Sequence, residues 1–232
     1  MLNDQHQDRL DKNNIKADIE DDLSHLRTDK FRVTVFGSAR TKPDHPSYVQ
    51  TYQLGKDLAH ENIDVITGGG PGIMEAAAAG HKTVDNETEA HTIGIGIELP
   101  FEQGFNEYIE IQKEFRRFSN RLDQFMVLSN AVVIMDGGIG TALELFYTWQ
   151  LTQIKHICNI PIIVVGPQWR NLIKWVKENP LENGFMSPED MHNVYVVDTN
   201  EEIMEVVKET HENYKALGEN FCVNSKKYNI TD

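Results

Sequence analysis

The chain has 232 residues, and Lys+Arg 22 against Asp+Glu 36 gives a formal net charge of −14 at pH 7. So acidic a molecule with no basic run is excluded from nucleic-acid backbone binding, which needs clustered cations. Its longest apolar runs, at 131–135 and 160–165, fall well short of the roughly 20 residues of a membrane-spanning helix, so no membrane partner is expected.

Residues 1–30 are polar and mixed in charge, without the basic start, apolar centre and cleavage site of a secretory signal, so a cytoplasmic location is expected. Within them Ile15, Ile19, Leu23 and Leu26 recur at helical spacing and predict an amphipathic helix that docks on the body or on a second subunit. From Phe31 onward, short β-type runs alternate with longer helical patterns, the mark of βαβ units around a parallel sheet. Strands are predicted over 31–36, 63–67, 92–97, 131–135, 162–165 and 194–197. Helices are predicted over 47–61, 72–84, 115–129, 141–156, 169–178 and 201–217.

Strands apolar throughout, such as Val132-Val133-Ile134, fit positions covered on both faces. The stretch 98–112, with Pro100, Phe101, Gly104 and Phe105, reads as a loop or hairpin over a site. Ser187-Pro188-Glu189-Asp190 has the form of a helix start. The length suits a single α/β domain, divided into an N-terminal helical extension (1–30), a body (31–217) and a loose C-terminal tail (218–232). Cys158 and Cys222, in no CxxC pair, are expected as reduced thiols.

Three strand-to-helix turns are rich in small residues, and in a parallel sheet such turns share the carboxyl edge and line one crevice. They are Gly37-Ser38-Ala39-Arg40, Thr67-Gly68-Gly69-Gly70-Pro71-Gly72-Ile73-Met74-Glu75 and Asp136-Gly137-Gly138-Ile139-Gly140-Thr141. Glycines let the backbone approach a ligand, and the N–H groups opening the next helix attract an anion. The spacing fails GxGxxG, because the third position holds Ile73, Glu75 or Leu143 depending on the start, and no GxxxxGK[ST] occurs. The second and third of these, both glycine-rich and facing one crevice, suit a single phosphate and its sugar better than a pyrophosphate.

Thr141-x-x-Glu144 also has the form of a capping box, the reading these residues favour by themselves; in the alternative, Glu144 turns toward a bound sugar. Arg117 and Arg121 are four apart on a predicted helix, with Arg116 beside them, and could supply cations to an anionic ligand. Neither HExxH nor spaced Cys and His pairs occur, and no Gly-x-Ser-x-Gly elbow, so neither a metal nor a serine nucleophile is expected.

Gly68-Gly69-Gly70-Pro71-Gly72-Ile73-Met74-Glu75-Ala76-Ala77 followed by Gly137-Gly138-Ile139-Gly140-Thr141-Ala142-Leu143-Glu144 resembles the two signatures of the LOG family, long labelled "possible lysine decarboxylases". The resemblance spans roughly residues 31–198 and includes Val35 to Arg40, Ile97 to Gly104 and Phe115 to Arg121. It implies a Rossmann-like, doubly wound parallel sheet and a homodimer or higher homo-oligomer. The implied reaction is hydrolysis of the N-glycosidic bond of a nucleoside 5′-monophosphate, AMP-like or a cytokinin riboside monophosphate, to free base and ribose 5-phosphate, with no cofactor.

The family's essential Glu falls on Glu144 and its essential Arg on Arg121. Its phosphate-binding turns fall on Gly37-Ser38, Gly69-Gly70 and Gly138-Ile139-Gly140-Thr141, and Gly72, Met74, Gly137, Asp136 and Arg117 complete the expected substrate site. Glu144 is expected to be ionised, with an ordinary pKa of about 4.3. Two positions depart from the pattern: Leu122 stands where the family has Lys after the Arg, and Asp136 where it has Pro before the glycine pair. They motivate an alternative, a non-catalytic carrier of a nucleotide or of a molybdenum-cofactor-type pterin phosphate, since relatives of this architecture carry that cofactor.

Overall fold

Alternate residues of a strand face opposite sides of the sheet. Here Val33, Val35, Val65, Val133 and Ile163 pack into one apolar cluster, while Ile66, Val132, Ile134, Ile162 and Val164 pack into another. Both faces are therefore covered. In the computed structural model, which describes residues 30–84, 88–98 and 104–227, one sheet runs in the order β4-β3-β2-β1-β5-β6-β7, with every pair parallel.

The strands are β1 (Arg32–Phe36), β2 (Asp64–Thr67), β3 (Thr92–Ile97), β4 (Ile111–Phe115), β5 (Ala131–Ile134), β6 (Ile162–Val165) and β7 (Val194–Val197). The main helices are α1 (Pro46–His60), α2 (Ile73–Lys82), α3 (Phe118–Leu128), α4 (Ile139–Gln153), α5 (Pro167–Val176) and α6 (Asn200–Leu217). Leu54 and Leu58 of α1, Ile73 and Ala77 of α2, and Ile203 and Val207 of α6 cover one face. Phe125 of α3, Leu145 and Trp149 of α4, and Trp169 and Ile173 of α5 cover the other. The sheet is thus doubly wound and Rossmann-like, and the chain reverses its direction of travel across the sheet between β1 and β5.

All six predicted strands form, to within a residue at each end. The seventh, β4, falls where a loop and a helix start were expected. Its Gln112 and Glu114 are exposed while Ile111 and Lys113 are half-buried and Phe115 is buried, the alternation of an edge strand blunted by charge. Consequently α3 starts at Phe118 rather than Phe115. The Ser187 start opens only a 3-10 turn, Pro188–Met191, with the Ser187 N–H donating to Asp190.

The expected reduced thiols are corrected. Cys158 and Cys222 are joined in a disulfide, with Cα atoms 5.8 Å apart, because the chain beyond α6 returns to the turn between α4 and β6. Nor is that segment loose as far as Lys227. The buried Asn224 accepts from the Cys158 N–H at 2.7 Å and donates to the carbonyls of Met126 and Ser129 at 2.8 and 3.0 Å. Lys227 donates to the Ile157 carbonyl, and the Phe221 ring meets Tyr214 edge-on. The helix expected within 1–30, and Pro100 and Phe101, lie outside the described residues. No helix among the described residues is long and apolar enough to cross a membrane.

Candidate functional site

The β1–β5 reversal opens a crevice at the carboxyl edge of the sheet, where ligands of such folds bind. A cleft of about 750 Å³ sits there, lined by Ser38, Arg40, Lys42 and His45 after β1, by Asp136, Gly137 and Gly138 after β5, and by Gln168 on α5.

The two glycine turns differ in how far their backbone is already engaged. In the first, the Ile73 N–H that opens α2 donates to the Ser38 carbonyl at 3.0 Å. The Asn106 amide nitrogen donates to the Gly69 and Gly70 carbonyls at 3.0 and 2.9 Å. Gly69 has φ +76, and a Cβ on it would lie 2.2 Å from the Phe105 ring, so only glycine fits. Met74 packs against the turn, its sulfur 2.7 Å from where a Gly68 Cβ would be. This turn is bolted to its neighbours.

The second turn is open. Gly138, Ile139 and Gly140 are exposed, and nothing lies within 4 Å of a Cβ built on Gly138 or Gly140. Gly138 is the N-cap of α4 and makes no side-chain cap, so the first-turn N–H groups have no intrahelical acceptor. That is the electrostatic environment for an anion.

The capping box read from Thr141 and Glu144 does not form. Helix α4 begins at Ile139, so Thr141 is already its third residue, buried with its hydroxyl folded toward the Cα of Gly137. Glu144, in the second turn, is 8% exposed and meets Arg121 Nη1 at 3.6 Å. A helical side chain leans toward its own N-terminus, which carries this carboxylate back toward the open turn.

Arg121 is 8% exposed on α3 and held on several sides. Its Nε donates to the Ile95 carbonyl at 2.8 Å, the Phe125 and Phe118 rings flank it, and its Nη2 lies 2.5 Å from where a Gly68 Cβ would be. Gly68 is therefore the space the guanidinium occupies.

Burial pushes the Glu144 carboxyl up to about 7, against the opposing pull of Arg121. This corrects the ordinary, fully ionised carboxylate expected from the residue type alone. Near neutral pH Glu144 exchanges a proton readily, as a general acid–base group must.

Arg117 is the N-cap of α3, half-buried, and stands apart from the Glu144 ion pair. Leu122 is buried in the core. Asp136 accepts the Ser38 N–H on its main-chain carbonyl, and its carboxylate lies toward Gly166, 3.9 Å from where a Cβ would be. Two buried amide nitrogens of α3, on Asn120 and Gln124, have no hydrogen-bond partner, an exception that calls for a water or a ligand.

Sequence reasoning missed Asn106 and Gln168. The Gly137 N–H donates to Gln168 Oε1 at 3.2 Å, and Gln168 Nε2 donates to the Gly137 carbonyl. Both act across more than thirty residues, and no local pattern signals them. Among the described residues no group of three or more His, Cys, Asp or Glu side chains is placed to hold a metal ion.

The family model described as "Possible lysine decarboxylase" matches residues 74–207. A pyrimidine/purine nucleotide 5′-monophosphate nucleosidase of Escherichia coli (strain K12) is 31% identical over 135 residues, which is 52% of this chain and only 28% of the length of that relative. Among solved structures, the molybdenum cofactor carrier protein from Chlamydomonas reinhardtii has a TM-score of 0.57 at 22% identity, covering 79% of this chain and 99% of that one. The molybdenum cofactor binding protein from Rippkaea orientalis gives 0.58 at 21%, covering 79% and 98%. At such identities these two show a shared fold. The sequence match, by contrast, runs over more than half of the chain and through the turn, the helix and the carboxylate just described: the chain belongs to the LOG family.

Proposed function

We propose that the protein hydrolyses the N-glycosidic bond of a nucleoside 5′-monophosphate, releasing the free base and ribose 5-phosphate. The observation that carries this reading is a buried carboxyl with a pKa of about 7, facing a guanidinium, one turn inside a helix whose N-terminus is open to an anion. The likeness to the nucleosidase over 135 residues supports it.

The 5′-phosphate would sit on the N–H groups of Gly138, Ile139, Gly140 and Thr141, with the ribose reaching toward Glu144. Gly37, Ser38, Gly69, Gly70, Gly72 and Met74 would form the opposite wall, and Asp136, Gly137 and Arg117 the rim. As the C1′–N bond breaks, its electron pair leaves with the base and positive charge spreads over C1′ and the ring oxygen. Ionised Glu144 stabilises that charge and takes a proton from the water whose oxygen bonds to C1′. The departing base nitrogen gains a proton, and the sum is the addition of one water. Arg121 fixes the Glu144 carboxylate and offsets charge on the leaving side.

The test is incubation with AMP, GMP, CMP, UMP, IMP and isopentenyladenosine monophosphate, with free base measured by chromatography. Glu144→Gln should bind nucleotide and release no base; retained turnover in that variant refutes the mechanism. The carrier alternative draws on Asp136 at the cleft and on Leu122, and the solved carriers are consistent with it without favouring it. A pterin or nucleotide that survives purification, with no hydrolysis of any substrate, would establish it.

The proposed oligomer is a homodimer or higher homo-oligomer through α4. Ile139, Leu143 and Phe146 are 88%, 44% and 42% exposed on one face of that helix, an apolar stripe that a second copy would cover. Sedimentation as a monomer at micromolar concentration would reject this arrangement.

A further inference from the structure

We propose that Gln168 is the positioning residue of the anion-binding turn, aiming the Gly138 N–H at the 5′-phosphate. The proposal rests on the nucleotide reading above and adds a residue to it. Gln168 lies on α5, outside both glycine signatures.

The backbone of 135–137 is pinned group by group. The Met135 N–H donates to the Phe36 carbonyl at 2.8 Å, and the Met135 carbonyl accepts from the Trp169 indole at 2.9 Å. The Asp136 carbonyl accepts from the Ser38 N–H at 2.9 Å. At Gly137 the sheet has ended and no backbone partner remains. The Gln168 side-chain amide takes over, accepting from the N–H and donating to the carbonyl of the same residue.

The consequence follows from peptide planarity. The carbonyl of Gly137 and the N–H of Gly138 belong to one rigid plane and point in opposite directions. Holding that carbonyl toward α5 turns the Gly138 N–H the other way, at the mouth of α4. Without the clamp, two successive glycines give this peptide wide rotational freedom. The clamp is itself anchored, since the neighbouring Trp169 is 2% exposed and Pro167 opens α5 at its first position. Gln168 is exposed at the cleft, so its removal leaves the core untouched.

Isothermal titration of AMP, adenosine and inorganic phosphate into the wild type, Gln168→Ala and Gln168→Met tests this. Loss of one well-aimed hydrogen bond to a charged oxygen predicts roughly tenfold or greater weakening for AMP and for phosphate. Adenosine should bind as before, the melting temperature should hold, and for any nucleotide cleaved the loss should fall on KM more than on kcat.

Unchanged AMP affinity in both variants overturns the proposal. So does equal weakening of AMP and adenosine, which marks a general loosening of the loop, and so does a wild type that binds AMP no more tightly than adenosine. The titration needs no turnover: AMP bound by the wild type but never cleaved defeats the nucleosidase reading while the comparison of variants still decides the role of Gln168.

Discussion

Replacing Glu144 by Gln removes a pH-dependent part of the stability. In the folded protein this carboxyl titrates at about 7, against an ordinary 4.5. Between those values the folded protein holds a proton that the unfolded chain has released. The unfolded state then binds fewer protons, so stability falls as pH rises through the window from about 4.5 to about 7 and changes no further above it. A gap of 7 − 4.5 pKa units, at about 1.4 kcal/mol per unit, amounts to roughly 3 to 4 kcal/mol in all, of which roughly 2 to 3 kcal/mol accrues between pH 5 and pH 8. Because the group is 8% exposed, solvent screening takes little from this figure. Urea unfolding of the wild type and Glu144→Gln at pH 5 and pH 8, with the disulfide intact, isolates the term, since every other titrating group is common to both proteins. The wild type should lose roughly 2 to 3 kcal/mol more than the variant between the two pH values. Parallel losses would mean that Glu144 titrates as an ordinary surface acid, and the burial argument would fail with it.

The same group is expected to set the activity profile: kcat/KM for a cleaved nucleotide should rise tenfold per pH unit up to about 7 and then level off, and a break near 4.5 instead would show that burial does not raise the Glu144 carboxyl in the working protein. In Gly68→Ala the new Cβ lies 2.5 Å from Arg121 Nη2; kcat/KM should drop on the order of tenfold or more from the displaced guanidinium, and full activity would show that its position is immaterial. Cys222→Ser opens a covalent loop of sequence separation 64. On the chain-entropy account this costs about 4 kcal/mol, seen as a melting temperature roughly 8 to 16 °C lower, and an unchanged value would show that the Asn224 contacts alone hold the segment.

Strands buried on both faces were legible because short β-branched apolar runs such as Val132-Val133-Ile134, alternating with longer helical patterns, fit a parallel sheet covered on both faces. Strand β4 was not, since its exposed Gln112 and Glu114 imitate loop composition and only pairing with β3 makes it a strand. The site divides the same way. Gly138 and Glu144 carry local signatures, and their spacing places them on one helix. The competing capping-box reading failed because helix α4 starts at Ile139, ahead of the residue that would cap it. Asn106, Gln168 and the Cys158–Cys222 pair act at sequence separations of 31 to 64. Their roles exist only once β-strands have set the loops side by side, and an expectation of reduced thiols drawn from compartment could not anticipate that the two sulfurs would meet.

The Asn224 side chain has one further consequence, for the order in which the molecule is made. Helix α3, which carries Arg121, leaves the carbonyls of Met126 and Ser129 at its end, and they are satisfied by an amide that follows 98 and 95 residues later. At about 5 to 20 residues per second, roughly 5 to 20 s of synthesis separate the helix from the group that finishes it. For most of that interval the nascent chain holds both glycine turns, Arg121 and Glu144, while the far end of the helix that presents the arginine is incomplete. The end of helix α3 is therefore completed late, when Asn224 emerges and docks on it.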